Sequence, residues 1–327
     1  MKAVVCSSYA PIEQLQLRDI PVSLLRSGTV RVKMAVASVN PPDVLMPQGM
    51  YQVKPPVPFV PGIEGMGIVL ETASDVDHVS PGDRVMMYAG QGCFAEENVV
   101  PVHSVCRVPQ GMSDEAASGF VLAYSTVYHA LFDCGQLAKG DTVVLLGAAG
   151  GLGLCAIQVA KAAGARVIAV ASTAEKRDKC LQNGADEVLE PDPTRLRDDI
   201  RALTNDQGAD VILDIVGGDI TDVALRAIKP YGRFVIAGYA SGRVPAIKAN
   251  LILLKQARVV GASYRLLQQN QPEEAQANLA RLCAMWERGL LRPEVTRVYP
   301  FEDFYEALCV VRDRKVIGKA ALRISEE

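Results

Sequence analysis

The stretch Val143-Val144-Leu145-Leu146-Gly147-Ala148-Ala149-Gly150-Gly151-Leu152-Gly153 decides the fold of this chain. An apolar, partly β-branched run leads into a glycine-rich turn, and apolar side chains recur at helical spacing after it. Glycines let the backbone approach a pyrophosphate closely, and they let the following helix pack tightly against the sheet. The first N–H groups of that helix attract phosphate. The stretch therefore predicts a strand, a turn and a helix that bind a dinucleotide.

Strands and helices alternate along the chain on both sides of this turn. Several of the strand candidates are apolar almost throughout, as expected when both faces of a parallel sheet are covered. Together they predict an α/β Rossmann domain over residues 123–264, with a doubly wound six-stranded parallel sheet. The strand candidates are residues 143–147, 166–170, 187–189, 211–215, 233–237 and 258–262, and the helical patterns between the first five lie around 154–163, 175–182, 195–203 and 221–228.

Residues 1–122 have a different pattern, with short alternating apolar runs separated by turn residues. This pattern predicts a β-rich domain, either a compact antiparallel sheet or a partly open barrel, with strand candidates at 29–37, 65–70, 84–88 and 94–102. Dense prolines between Pro41 and Pro61 predict an irregular loop rather than a helix. Residues 265–327 are expected to return and complete this first domain, which would make it discontinuous.

Composition excludes several classes of partner. The chain has 327 residues, a net charge of -3 and no basic stripe, so neither nucleic acid nor an anionic membrane is expected as a partner. Residues 142–160 carry no charge, but the glycines within them favour the strand, turn and helix over a membrane span. The beginning of the chain lacks a signal-peptide pattern, so a cytoplasmic protein is expected. Eight scattered cysteines without a C-x-x-C pair favour reduced thiols over a structural zinc site.

The end of the second Rossmann strand indicates the type of dinucleotide. Sites for NAD usually carry an acidic residue there that holds the ribose 2'-hydroxyl. Here the strand ends in Val170-Ala171-Ser172-Thr173, and Lys176 and Arg177 follow in the next helix. A 2'-phosphate would neutralise these cations and accept a hydrogen bond from Ser172, which favours NADPH over NADH. The alternative, that both cations are solvated surface residues, stays open.

Motifs over the whole length of the chain carry a family resemblance. Besides the glycine turn, they are Ser38-Val39-Asn40-Pro41-Pro42-Asp43, Gly49-Met50-Tyr51, Pro61-Gly62-Ile63-Glu64-Gly65, Thr126-Val127-Tyr128-His129-Ala130-Leu131, Asp214-Ile215-Val216-Gly217-Gly218, Gly232-Arg233-Phe234, Asn250-Leu251-Ile252-Leu253-Leu254-Lys255 and Gly318-Lys319. In these motifs the chain resembles zinc-free members of the medium-chain dehydrogenase/reductase superfamily, in the quinone oxidoreductase (zeta-crystallin-like) branch.

The resemblance implies a GroES-like catalytic domain and a Rossmann domain, with the active site in a cleft between them. It implies that Asn40, Asp43 and Tyr51 line that cleft. It also implies a homodimer that pairs through residues 258–262. The cofactor would lie against Thr126, the turn residues Gly147, Ala149, Gly150, Gly151, Leu152 and Gly153, the segments Val216-Gly217 and Gly238-Tyr239-Ala240, and Ser263 and Tyr264.

The chain also departs from its suggested relatives. Where zinc alcohol dehydrogenases carry Gly-His-Glu, it has Gly62-Ile63-Glu64, and Asn40 and its neighbours replace a ligand cysteine, so no catalytic zinc is expected. Pro47 stands where quinone reductases often carry an arginine, which leaves the substrate open. Pro191 replaces a tyrosine that often contacts the 2'-phosphate, which weakens the NADPH assignment.

Without zinc, hydride transfer is easiest to acceptors that spread the new charge by conjugation. We therefore expect hydride transfer from NADPH to a quinone, with Tyr51 donating a hydrogen bond or proton and with Asn40 and Asp43 orienting groups. Other interpretations stay open: Tyr51 as an aromatic wall, Asp43 as a loop staple, Glu64 as an internal ion-pair partner and His129 as a structural residue. The alternative functions are reduction of an enone, enal or enoyl thioester, and binding of NADPH without catalysis.

Overall fold

The computed structural model describes residues 1–325 and divides the chain into two units. Residues Met1–Leu122 form the first unit together with the described residues from Pro293 onward, and Ala123–Arg292 form the second. The sequence-based boundary at residue 265 assigned the segment 265–292 to the first unit instead. Hydrogen bonds explain the difference, because Gln158 binds the backbone N–H and the carbonyl of Arg292 and Asn278 binds Asp133.

The N-terminal part of the chain consists mainly of strands. Its elements are β1 (Lys2–Val5), β2 (Gln16–Asp19), β3 (Thr29–Val39), α1 (Pro41–Leu45), β4 (Glu64–Thr72), β5 (Arg84–Tyr88), β6 (Glu97–Pro101), β7 (Val105–Arg107), α2 (Asp114–Ser118) and α3 (Phe120–Tyr128). The long strand β3 pairs antiparallel with β4 and, at its N-terminal half, with β6. The strand candidates at 29–37, 65–70, 84–88 and 94–102 all fall on strands of this set.

Strands and helices alternate in the middle of the chain, as the sequence predicts. After a π-helical turn at His129–Cys134 come β8 (Thr142–Leu146), α4 (Gly151–Ala162), β9 (Arg166–Val170), α5 (Ala174–Gln182), β10 (Glu187–Leu189), α6 (Leu196–Leu203), β11 (Ala209–Asp214), α7 (Asp219–Arg226), β12 (Ile228–Ile236), α8 (Ala249–Lys255), β13 (Arg258–Gly261), α9 (Tyr264–Asn270) and α10 (Pro272–Glu287).

The C-terminal part returns to the first unit. Its elements are β14 (Arg297–Pro300), α11 (Phe304–Arg312) and β15 (Ala320–Arg323), and β15 pairs antiparallel with the C-terminal half of β3. The sheet order of this unit is β14-β15-β3-β4-β5-β7, with β6 also paired to β3. Inward-facing side chains such as Val30, Val32 and Met34 are fully buried in its core.

The sheet of the second unit has the order β10-β9-β8-β11-β12-β13, and all its pairs are parallel. The chain starts in the middle at β8, winds outward through β9 and β10, and then crosses back to β11. This reversal creates a topological switch point between β8 and β11. The predicted α/β class is confirmed: the second unit contains a doubly wound six-stranded parallel sheet, and the first unit is β-rich. Among residues 1–325, no helix is both long enough and apolar enough to cross a bilayer.

The prediction of an irregular loop throughout the proline-dense segment is wrong at its beginning. Pro41 and Pro42 start the short helix α1 instead. The first residues of a helix donate no intrahelical hydrogen bond, so the missing N–H of proline costs nothing there and its fixed φ suits the helix. The helix then presents Asp43 towards the protein interior.

The glycine turn folds back so that the first turn of α4 lies against the turn's own backbone at Ala148. A Cβ on Gly153 would lie 2.4 Å from the backbone of Ala148, closer than atoms can pack. A Cβ on Gly150 would meet nothing nearer than the Gly147 carbonyl oxygen at 3.7 Å. A side chain therefore fits at Gly150 but not at Gly153, although both glycines belong to the same turn.

We predict that Gly153→Ala lowers the free energy of unfolding by about 2 kcal/mol, because the first turn of α4 must move away from the backbone of Ala148. Gly150→Ala is the matched control and should change it by less than about 1 kcal/mol. Urea unfolding followed by circular dichroism measures both variants. Equal stabilities of the two variants would contradict the close contact at Gly153.

Candidate functional site

The glycine turn of the second unit has the geometry of an anion site. Gly147 adopts a φ of +79°, and the N–H groups of Gly147 and Ala148 both donate to the Val170 carbonyl. Gly150 is the N-cap of α4, and the first helical hydrogen bond runs from Leu154 N–H to the Gly150 carbonyl. The N–H groups of residues 151–153 are therefore available at the positive end of a three-turn helix.

A pocket of about 240 Å³ lies beside this turn, at the carboxyl ends of the parallel strands. In doubly wound sheets, ligands bind at this edge, where the strand order reverses. Its walls are mostly apolar, which suits the flat rings and riboses of a dinucleotide better than a free ion. The lining residues are Leu146, Gly147, Val170, Pro191, Pro193, Val216, Gly217, Asp219, Ile220, Ser241 and Arg243.

Hydrogen bonds to one buried carboxylate shape the loop after β11. Asp214, the last residue of β11, is fully buried and accepts hydrogen bonds from the N–H groups of Val216 and Gly217 at 2.8 Å. Its other oxygen accepts from the Thr221 hydroxyl. The predicted residues Val216 and Gly147 therefore meet at the pocket, with Val216 held there by Asp214.

The loop after β12 approaches the same edge. Ala240 N–H donates to the Ile215 carbonyl, which ties the segment Gly238-Tyr239-Ala240 to the end of β11. Thr126, buried on α3, and Ser263 and Tyr264, at the beginning of α9, are not among the described residues that line the pocket. Their expected contacts with a cofactor stay predictions.

The three residues expected near a 2'-phosphate differ in their surroundings. Ser172 is exposed directly after β9, and Lys176 is partly exposed in the first turn of α5. Arg177 instead forms an ion pair with Glu190 at 2.9 Å and donates to the carbonyls of Ala171 and Ser172. Its guanidinium therefore supports the end of β9, so a phosphate would have to compete with Glu190 for it.

Part of the pocket lies outside the residues predicted from the sequence. Pro193, Asp219, Ile220, Ser241 and Arg243 all line it, and Arg243 forms an exposed ion pair with Asp219 at 2.7 Å. The signal was available, since each of these residues follows one of the parallel strands closely and so belongs to the same edge of the sheet.

Asn40, one of the candidate catalytic residues, belongs to a buried charge cluster in the first unit. Lys319 Nζ lies 2.7 Å from Glu64 Oε1 and 2.9 Å from Asn40 Oδ1, and Asn40 Nδ2 donates to the same Glu64 oxygen at 3.0 Å. The side chains of Glu64 and Lys319 are 0% and 8% exposed. The other Glu64 oxygen accepts from Leu122 N–H. Glu64 thus acts as the internal ion-pair partner that the sequence left as a possibility, and Lys319 was missed.

Asp43 is fully buried and staples two segments of the chain. One carboxylate oxygen accepts from Asn40 N–H at 2.8 Å, and the other accepts from the N–H groups of Gly62 and Ile63 at 3.1 and 3.0 Å. Burial raises the pKa of the Asp43 carboxyl to about 7, against the lowering effect of these hydrogen bonds. The contacts match the alternative interpretation of Asp43 as a loop staple.

Tyr51 lies at the end of a turn that α1 supports. Met46 and Met50 donate backbone hydrogen bonds to Pro42 and Leu45, so the chain leaving α1 is fixed as far as residue 50. The Tyr51 ring packs at the margin of the apolar core and is partly exposed. Of the three predicted catalytic side chains it is the most accessible, because Asn40 and Asp43 are both buried.

Within residues 1–325, no three side chains of His, Cys, Asp or Glu gather as a possible metal site, and the expected absence of a catalytic zinc stays a prediction. Cys93 lies fully buried near Asp43 and Glu64, and burial, followed by these two carboxylates, raises the pKa of its thiol.

Comparison with known proteins agrees with this architecture. Residues 26–110 match the family of alcohol dehydrogenase GroES-like domains, and residues 151–282 match the family of zinc-binding dehydrogenases. The quinone oxidoreductase-like protein 2 of Bos taurus is 32% identical over 325 residues, covering 99% of this chain and 92% of that protein. This chain belongs to the quinone oxidoreductase branch of the medium-chain dehydrogenase/reductase superfamily.

Solved structures extend the likeness to the three-dimensional fold of this branch. The Escherichia coli quinone oxidoreductase complexed with NADPH superposes with a TM-score of 0.90 at 26% identity, covering 99% of this chain and all of that one. A mycobacterial protein complexed with NADPH gives a TM-score of 0.92 at 28% identity and covers 99% of each chain. The chain is thus an oxidoreductase by family.

The buried ion pair between Lys319 and Glu64 should contribute to the stability of the protein. Lys319→Met leaves Glu64 charged and buried without its cation, so we expect the free energy of unfolding to fall by about 3 kcal/mol. Lys315→Met is the matched control, since the Lys315 side chain is 73% exposed and its partner Asp313 is 3.6 Å away. Urea unfolding measures both, and a loss no larger for Lys319→Met than for the control would contradict the role of the pair.

Proposed function

We propose that this protein is a zinc-independent oxidoreductase that transfers hydride from NADPH to a quinone. The observation that carries the proposal is the pocket beside the glycine turn at the switch point of the parallel sheet. The glycines of this turn let a pyrophosphate come close to the backbone, and the free N–H groups at the beginning of α4 can bind it. The complexes of two solved relatives with NADPH support this cofactor.

The residues after β9 support NADPH rather than NADH. No acidic residue stands at positions 171–174, so nothing there would repel a 2'-phosphate or hold a 2'-hydroxyl. Ser172 and Lys176 offer a hydroxyl and an ammonium group on the exposed side. Arg177 is bound to Glu190, so a 2'-phosphate would have to compete with that carboxylate for its guanidinium.

The side chains of the first unit favour an acceptor that stabilises its own negative charge. The bound cofactor supplies hydride, and the acceptor oxygen then needs a proton or a hydrogen-bond donor. Asn40 and Ile63 cannot act as the metal ligands that stabilise an alkoxide in the zinc enzymes. A quinone spreads the charge over its ring, so one donor of moderate strength is sufficient.

Tyr51 is proposed as this donor, and Asn40 and Asp43 as positioning residues. The Asn40 amide is held by Lys319 and Glu64, and Asp43 fixes the helix α1 whose C-terminal turn leads to Tyr51. Both therefore act through the backbone that carries Tyr51. Reduction of an enone, enal or enoyl thioester is the second candidate, because the same donor would serve an enolate oxygen.

Pairing of two copies through β13 is part of the proposal. β13 is the last strand of its sheet, so one edge carries backbone groups that another strand can bind. Leu253 and Leu254 on the preceding helix α8 are 77% and 76% exposed, which leaves an apolar surface beside that edge.

The test is oxidation of NADPH, followed by its absorbance, with a small 1,4-quinone, with an acyclic enone and with NADH in place of NADPH. We predict turnover with the quinone above the rate without protein, and a much lower rate with NADH. Turnover with the enone alone would move the assignment to the alkene reductases. NADPH binding without turnover of either acceptor would contradict catalysis and favour a binding protein.

In the same assay, Tyr51→Phe should lower kcat with the quinone about tenfold or more, because the acceptor oxygen loses its donor. The affinity for NADPH should stay within about twofold, since the glycine turn is unchanged. Tyr305→Phe, a surface tyrosine that binds Glu13, is the matched control and should retain full activity. An unchanged kcat for Tyr51→Phe would identify Tyr51 as an aromatic wall.

A further inference from the structure

Three side chains outside the candidate cofactor pocket form a chain of contacts that ends on a thiol. His129 Nδ1 lies 2.8 Å from Asp133 Oδ2, and His129 Nε2 lies 3.5 Å from Cys134 Sγ. All three belong to the π-helical turn His129–Cys134. The wider turn of a π-helix brings residues i, i+4 and i+5 to one side, whereas an α-helix would turn the last of them away.

A second element holds this arrangement in place. Asn278 on α10 is fully buried and donates from Nδ2 to the same Asp133 oxygen at 2.9 Å. Arg281, one helical turn later, donates to the Asn278 amide oxygen at 2.7 Å, which orients the amide with its NH₂ group towards Asp133. The carboxylate is therefore positioned from outside its own turn, and it positions the imidazole.

These contacts determine how the imidazole is protonated. The Asp133 carboxylate accepts a hydrogen bond from the Nδ1–H group of His129. The lone pair of the neutral imidazole therefore lies on Nε2 and faces the Cys134 thiol. A thiol, a histidine and an orienting carboxylate in this order form the arrangement that activates a nucleophile. The Cys134 thiol also lies 3.7 Å from the Gly261 carbonyl oxygen, a second acceptor for its proton.

We propose that Cys134 is a nucleophilic thiol, activated by His129 and Asp133, that adds to neutral soft electrophiles of the activated-alkene class. In this addition the S–H proton moves to His129 Nε2, and the sulfur lone pair forms a bond to the β-carbon of the alkene. The π electrons move to the carbonyl oxygen as an enolate, which takes a proton back from the imidazolium. Atoms and charge balance without an oxidant or a cofactor.

The environment of Cys134 explains why the base is needed. Partial burial, followed by the neighbouring Asp133 carboxylate, raises the pKa of the Cys134 thiol, so its free thiolate is scarce at neutral pH. Transfer of the proton to His129 creates a thiolate beside an imidazolium, and Asp133 stabilises that cation. Reactivity should therefore depend on the histidine. The proposal is independent of the proposed reductase activity.

The experiment alkylates the full-length native protein with N-ethylmaleimide at less than one equivalent and measures each cysteine by mass spectrometry. The other partly buried cysteines, Cys106, Cys283 and Cys309, are internal references. We expect Cys134 to react at least about tenfold faster than each reference. A Cys134 rate equal to or below the references, including the case of a thiol covered in the native assembly, overturns the proposal.

Two variants then test the role of the base. His129→Gln should slow the alkylation of Cys134 about tenfold or more and leave the reference cysteines unchanged, and Asp133→Asn should slow it in the same direction. His103→Gln, an exposed histidine of the first unit, is the matched control. Circular dichroism confirms folding. An unchanged Cys134 rate in folded His129→Gln or Asp133→Asn overturns the activation by this group.

Discussion

The close approach of Gly153, in the first turn of α4, to the backbone of Ala148 in the glycine turn is the constraint on which the candidate cofactor site depends. It allows the helix to begin directly at the turn that follows β8, with Gly150 as the cap. The helix N-terminus then lies at the carboxyl edge of the sheet, beside the pocket. A side chain at Gly153 would separate the two elements, and the N–H groups would move with the helix. Glycine is thus required here for proximity between two backbones rather than for flexibility.

A second constraint operates in the first unit, where a lysine and a glutamate share a buried site. Such a pair is costly to desolvate, so it persists only with further hydrogen bonds, which Asn40 and the Leu122 N–H provide. The cluster joins β4 to the start of β15 and fixes the residue before α1.

The middle of the fold could be predicted well because parallel strands are apolar throughout and alternate with helices. The strands at 166–170 and 187–189 have the predicted bounds, and the helix predicted over 175–182 begins one residue earlier. Predictions failed where local pattern carries no tertiary information. Prolines were interpreted as breakers although two of them begin α1, and the boundary at residue 265 depended on contacts of Asn278 and Arg292 that no periodicity reveals.

The sequence motifs predicted which residues lie at the candidate site, but not which side chains bind them. The glycine turn and Val216 lie at the pocket, since the edge of a parallel sheet collects the loops that follow its strands. Sequence could not show that Glu190 engages Arg177, or that Lys319 engages Asn40, because the residues of each pair lie on different segments of the chain that only the tertiary fold brings together. The contact of His129 with Cys134 likewise depends on a π-helical turn, which the spacing of the two residues does not predict.

The most direct test of this account is hydrogen–deuterium exchange of the protein with and without NADPH. We predict slower amide exchange on NADPH addition at residues 147–153 and in the loops at 216–217 and 238–243, with weaker protection by NADH at equal concentration. Protection that is absent from the glycine turn, or that appears only in segments away from the carboxyl edge of the parallel sheet, would contradict the placement of the cofactor.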